Sequence, residues 1–194
     1  MTFEGVDGSG KSTQAELLRV HLAETGHEVV ATREPGGTPL GERIRELLLD
    51  GQEMTPWAEA ALFAAARAEL AEQVIRPALA HGADVVCDRY LDSSLVYQGV
   101  ARGLGIERIL ELNVAVRDLM PDLTFVLLLD PRAAAARVSS RPDRIEREGD
   151  AFRVAVADGF RQLEGRFPER VRVLDGSRPA DELAAFVRTE LDGV

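Results

Sequence analysis

The sequence predicts a doubly wound α/β domain, a five-stranded parallel sheet flanked by helices. Three observations carry this. Short apolar runs alternate with helical patterns along the whole chain, which is the rhythm of βα units. One run, Leu123–Leu129, is apolar throughout, as a strand covered on both faces must be. A glycine-rich turn follows the first run and opens a helix.

Taken in order, the first strand is short, Thr2-Phe3-Glu4. A helix from about Ser12 carries Ala15, Leu18 and Leu22 on one face and stops at Gly26. Glu28 to Thr32 reads as the second strand. A loop with Pro35, Gly36 and Gly37 leads to a helix around Leu40–Leu49. Thr55 and Pro56 are a cap and a first-turn proline, and they open a long helix running to about Ile75. Asp84–Cys87 is the third strand and ends at Asp88. Helices are expected over Ser93–Arg102 and Ile106–Leu119. Beyond the apolar run come a helix at Pro131–Val138, a polar segment, and a helix at Asp150–Arg166. Val171–Leu174 is the last strand and Ala180–Leu191 the closing helix. The expectation is one domain over residues 1–194, with a mobile lid at about residues 139–150.

Composition narrows the function. Hydrophobic residues make up 45% of the 194, so a full core is within reach. The net charge of −10 argues against a nucleic-acid polymer as partner, because such binding relies on basic residues. No apolar run approaches the roughly 20 residues of a membrane span, and no basic stretch precedes an apolar one as in a secretory signal. Cys87 is the only cysteine, so no intrachain disulfide forms; it reads as a buried thiol. A cytoplasmic location is expected.

Of the 23 basic residues, only Lys11 is a lysine, and it stands at one position of a motif. Gly5-Val6-Asp7-Gly8-Ser9-Gly10-Lys11-Ser12 matches G-x-x-x-x-G-K-[ST], and Thr13 follows. Glycines let backbone N–H groups turn inward around phosphate oxygens. The helix behind them contributes its positive end. Lys11 is placed to reach the β- and γ-phosphates of ATP, and the Ser12 hydroxyl to ligate Mg2+. The fold is therefore expected to be of the P-loop NTPase type. A signalling GTPase needs N-K-x-D to read guanine. This chain has one asparagine, Asn113, and no second lysine, so a small-molecule kinase remains. Asp88 ends an apolar strand where open α/β sheets bind ligands, which suits a magnesium carboxylate, and Arg89 suits an anion. Arg137, Arg141, Arg144, Arg147 and Arg153, interleaved with acids, read as a charged loop.

The chain resembles the bacterial thymidylate kinases (dTMP kinases) from end to end. The matching segments are EGVDGSGKST (Glu4–Thr13), TREPGGT (Thr32–Thr38), FAAARAE (Phe63–Glu69), DRYLDSSLVYQG (Asp88–Gly99) and DRIE (Asp143–Glu146). The resemblance implies that dTMP is phosphorylated to dTDP with Mg-ATP, in a homodimer. It implies that Asp7 contacts the 3′-hydroxyl of the acceptor sugar. Phe63 is expected to stack on thymine while Arg67 bonds a base carbonyl. Ser94 and Gln98 face the base, and Tyr97 packs under the deoxyribose. Arg33 and Arg89, with the Pro35 turn, hold the acceptor phosphate. The family places its catalytic arginine either in the loop or in the lid. Here Gly8 and Ser9 occupy the loop positions, so Arg141, Arg144 and Arg147 are expected to close over the ATP phosphates. Arg137 packs on adenine beside Asp175-Gly176-Ser177. In one departure, Ala66 stands where the family usually has an aspartate, so Arg67 needs another carboxylate to orient it. Two alternatives stay open: a deoxynucleoside kinase acting on a 5′-hydroxyl, and a non-catalytic nucleotide-binding protein.

Overall fold

The computed structural model describes residues 1–50, 52–138, 143–145 and 147–191. Five strands, β1 (Thr2–Glu4), β2 (Val29–Arg33), β3 (Asp84–Asp88), β4 (Thr124–Leu128) and β5 (Val171–Asp175), form one parallel sheet in the order β2-β3-β1-β4-β5. The alternation along β4 explains the layering. Phe125 and Leu127 point to one face and Val126 to the other, and all three are fully buried. Burial of each such side chain contributes about 1.5–3 kcal/mol. On the Phe125 face lie α1 (Lys11–Glu24), through Leu18 and Leu22, and α9 (Ala180–Leu191), through Leu183 and Val187.

The opposite face is covered by α3 (Pro56–Leu70), α4 (Arg76–Ala80), α5 (Leu91–Ser94), α6 (Ile106–Leu112) and α8 (Asp150–Arg166). α2 (Pro39–Leu49) packs its apolar side on a helix and not on the sheet faces, Ile44 and Leu48 lying against Ala66 of α3. α7 (Pro131–Arg137) starts at Asp130, whose carboxylate accepts from the amides of Arg132 and Ala133. Among the described residues no helix is long and apolar enough to cross a membrane.

Most boundaries fall within a residue or two of expectation. Three helices differ. The long helix from Pro56 widens into a π-helical segment, Ala71–Ile75, before α4. The expected Ser93–Arg102 helix is α5 running into a second π-helical segment, Leu95–Ala101. The expected Ile106–Leu119 helix stops at Leu112 and resumes as a short 3₁₀ turn, Val114–Val116. Asn113 ends it: its side chain donates back to Ile109 O at 2.8 Å and accepts from Arg67 at 2.7 Å.

Candidate active site

Two hollows open at the C-terminal edge of the sheet, and Asp7 lines both. The first, of about 650 Å³, is walled by Gly8–Gln14, Arg137 and the Gly176–Ala180 turn. The loop backbone explains its shape. A Cβ on Gly5 would stand 2.4 Å from Leu127 O, and one on Gly8 would stand 2.3 Å from Ala134 O. Both residues also have positive φ, +134° and +80°, so side chains are excluded on two grounds. The loop can therefore press against β4 and α7, at the positive end of α1. Gly5 and Val6 shape the loop without lining the hollow.

Lys11 is buried, and its Nζ donates to Val6 O at 2.9 Å and lies 3.5 Å from Asp7. Burial, then nearby Arg89, pushes its ammonium down to about 8, against the pull of Asp7, Asp88 and Glu4. The Ser12 hydroxyl donates to Asp88 Oδ2. A hydroxyl and a carboxylate side by side at the loop are hard oxygen donors. They suit Mg2+, which takes one or two protein oxygens and fills its shell with phosphates and water.

The second hollow, of about 470 Å³, is lined by Pro35, Phe63, Arg89, Ser94, Tyr97 and Gln98, all expected there. It also takes in Glu34 of the TREPGGT turn, Ser93 of the DRYLDSSLVYQG segment, Asp143 and Ile145 of the DRIE segment, and two residues the sequence did not mark, Arg45 and Leu49. Arg89 sits at φ +68°, a left-handed conformation rare for a side-chain-bearing residue. The strain is held in place from several sides. Arg89 N donates to Phe3 O at 2.9 Å, Nη1 to Ser93 at 3.1 Å and Nη2 to Asp7 at 2.7 Å, and the guanidinium lies 5.5 Å from the Tyr97 ring centroid. The Arg89 charge holds the Asp7 carboxyl well below the usual carboxylate range, with help from Lys11 and against burial.

Behind this turn Glu4 is fully buried. It accepts Tyr90 N–H at 2.8 Å and the Ser93 hydroxyl at 2.5 Å. Burial, reinforced by Asp92, pushes its carboxyl up to about 8.

Arg67 lies beneath the hollow rather than along its lining, at 1% exposure. Its Nε and Nη2 donate to Glu34 Oε2 at 2.9 and 2.6 Å, Nη1 to Asn113 at 2.7 Å, and Nη2 also to Ser94 at 2.9 Å. Glu34 is thus the carboxylate that orients Arg67 in place of one at Ala66. Burial pushes Glu34 up to about 7, against the Arg67 charge, and its Oε1 has no partner among the described residues.

Two expected residues point elsewhere. Arg33 is exposed, both oxygens of Glu42 accept from it at 3.1 Å, and it lines a third hollow, which takes in Ser12 and Asp88 but none of the second hollow's lining. Its place at the second hollow is taken by Arg45, which donates to Pro35 O at 2.9 Å. Arg45 and Leu49 are one turn apart on α2 and share a face, the only hint available in the sequence. Arg144, expected over the triphosphate, is buried. It donates from Nε to Leu48 O at 2.9 Å and from Nη2 to Glu59 at 2.7 Å. Arg137 does line the first hollow and donates to Gly176 O at 3.2 Å. Arg147 is exposed, and Arg141 lies outside the described residues.

A family model described as thymidylate kinase matches residues 3–187. The thymidylate kinase of Clavibacter michiganensis subsp. michiganensis is 50% identical to this chain over 194 residues, covering 97% of this chain and 92% of that one. That of Deinococcus radiodurans is 47% identical over 191 residues, covering 96% and 93%. The crystal structure of the Ehrlichia chaffeensis thymidylate kinase matches with a TM-score of 0.84 at 35% identity, over 98% of this chain and 96% of that chain. The chain belongs to the thymidylate kinase family.

Proposed function

We infer that this chain phosphorylates dTMP to dTDP with ATP. The observation that carries the reading is the meeting of two hollows at Asp7. One is built from a phosphate-binding loop, and the other is roofed by an aromatic ring and edged by arginines. An oxygen of the dTMP phosphate attacks the γ-phosphorus in line, a bond to that phosphorus forms, and the bond to the ADP oxygen breaks. The attacking oxygen is already anionic, so no protein base is required. This chain contributes position and charge. Lys11 and the loop amides bind the triphosphate. Arg89 and Arg45 hold the acceptor phosphate, and Phe63 stacks on the base. Arg67, fixed by Glu34, supports Ser94 from below. Ser12 and Asp88 are the residues that would hold Mg2+, which when bound offsets charge on the β- and γ-phosphates. Arg137 packs on adenine, and Arg141 and Arg147 carry the remaining lid charge.

The low pKa of Asp7 favours this reading over a deoxynucleoside kinase. A carboxylate held so low by Arg89 is a poor base for a 5′-hydroxyl. We further infer a single domain and a cytoplasmic homodimer. Leu47 of α2 and Trp57 of α3, 55% and 46% exposed, offer apolar surface for the pairing. A kinetic panel of dTMP, dUMP, ribose TMP and thymidine tests the acceptor, with dTMP expected to be preferred. Turnover of thymidine above dTMP would refute the assignment.

A further inference from the structure

We propose that Glu59 is a positioning residue that ties two walls of the acceptor hollow together, the Asp143–Ile145 segment and the Tyr97–Gln98 segment, with Arg144 as a strut between them and not as a charge on the transferred phosphate. The proposal rests on assigning the hollow under Phe63 to dTMP.

Glu59 belongs to the first turn of α3, where an acidic residue ordinarily faces solvent and the helix dipole. Here it is 1% exposed. Its two oxygens take four donors. Oε1 accepts from Gln98 Nε2 at 2.9 Å and Arg102 Nε at 3.2 Å; Oε2 accepts from Arg102 Nη2 at 3.0 Å and Arg144 Nη2 at 2.7 Å. Burial alone would raise its pKa, but the bonds from Arg102, Gln98 and Arg144 outweigh it and hold the carboxyl below its ordinary value. Glu59 is therefore a charged anchor.

What it anchors comes from two sides of the hollow. Gln98 belongs to the π-helical segment that also carries Tyr97. Arg144 belongs to the segment whose Asp143 and Ile145 line the same hollow. That segment is fastened at further points. Arg144 N donates to Leu49 O at 3.0 Å and its Nε to Leu48 O at 2.9 Å, which are carbonyls at the end of α2. Arg102, lying 4.6 Å over the Phe152 ring centroid, donates from Nη1 to Glu148 at 2.5 Å. Two carboxylates, Glu59 and Glu148, face two guanidiniums, Arg102 and Arg144, so the cluster is neutral. Swinging Arg144 toward a triphosphate would strip a buried carboxylate of a donor and leave a backbone carbonyl unpaired, both costly in a buried site.

The test uses the full chain carrying Arg144→Met, Glu59→Gln, or both, with dTMP and ATP varied separately. Each single substitution should raise the dTMP KM about tenfold, with kcat and the ATP KM within about threefold of wild type. The double variant should fall clearly short of the product of the two singles, because the Glu59–Arg144 bond is lost in both. A fall in kcat of about a hundredfold with an unchanged dTMP KM in Arg144→Met would overturn the proposal, as a charge acting on the transferred phosphate behaves that way. Independent, multiplying effects in the double variant would overturn it too. If Glu59→Gln fails to fold, Arg144→Met carries the test alone, since Glu59 keeps Arg102 and Gln98. Hydrogen exchange separates this idea from the acceptor assignment. Amides of residues 143–145 and 147–149 should exchange about tenfold faster in either variant whether or not dTMP is the acceptor. Unchanged exchange sinks the tie, whereas a wild type that ignores dTMP sinks only the assignment.

Discussion

Replacing Glu4 by glutamine should make the protein more resistant to alkaline pH. Glu4 is buried under the strained Arg89–Tyr90 turn, and its carboxyl is raised from 4.5 to about 8. That rise, at about 1.4 kcal/mol per pH unit, amounts to about 5 kcal/mol. The sign is the reverse of the usual surface carboxylate. Below pH 4.5 the group is protonated folded and unfolded, and it contributes nothing to the balance. Between 4.5 and 8 the unfolded chain has lost the proton while the folded chain keeps it, so stability falls as pH rises. Above 8 the full penalty of a buried carboxylate applies. Glutamine has the same shape and never ionises. Urea unfolding at pH 5 and pH 9, followed by circular dichroism, measures the effect. The variant should match wild type within about 1 kcal/mol at pH 5, where both side chains are neutral, and exceed it by about 3–5 kcal/mol at pH 9. Glu34, raised to about 7, slopes the same way in both proteins and cancels in the difference. Parallel stability profiles for the two proteins would refute the reasoning.

Lys11→Ala should cost about a thousandfold or more in kcat while the urea midpoint holds, since removing a buried ammonium also removes its desolvation penalty; near-normal turnover would end the mechanism. Arg33→Ala should leave the dTMP KM within about threefold, whereas Arg45→Ala should raise it about tenfold or more, and equal effects would show that the hollow has been assigned the wrong arginine. Arg67→Met breaks a buried pair and should cost about 3–5 kcal/mol in urea unfolding together with a higher dTMP KM; a loss under 1 kcal/mol would mean that Glu34 is not relying on it.

The layered sheet was legible because its signals are local and redundant. Apolar β4, the Thr55-Pro56 cap and the glycine loop each speak for one element and agree with one another. The π-helical segments were not legible, because nothing in Ala71–Ile75 or Leu95–Ala101 distinguishes a wider helix from an ordinary one. Asn113 looked like a helical residue until Arg67, 46 positions away, claimed its side chain. The loop and the Phe63, Tyr97 and Gln98 cluster could be read from motifs, whereas direction could not. Arg33 sits inside a recognisable turn yet faces Glu42, and Arg45 sits in an anonymous helix yet edges the hollow. Glu59 was invisible for the same reason: an acid in the first turn of a helix is ordinary until three distant donors converge on it.

The carbonyl of Ala134, 2.3 Å from where a Cβ on residue 8 would stand, has a consequence for anyone redesigning this protein. Gly8→Arg reads on paper as a simple relocation of positive charge from lid to loop. Here it would drive a side chain into the backbone of α7, the helix whose Arg137 reaches Gly176 across the nucleotide site. The wall between loop and helix is one atom thick. A graft of the loop-arginine type would have to bring its own version of residues 130–138 with it, so the exchangeable unit is a loop together with the helix behind it and not a single codon.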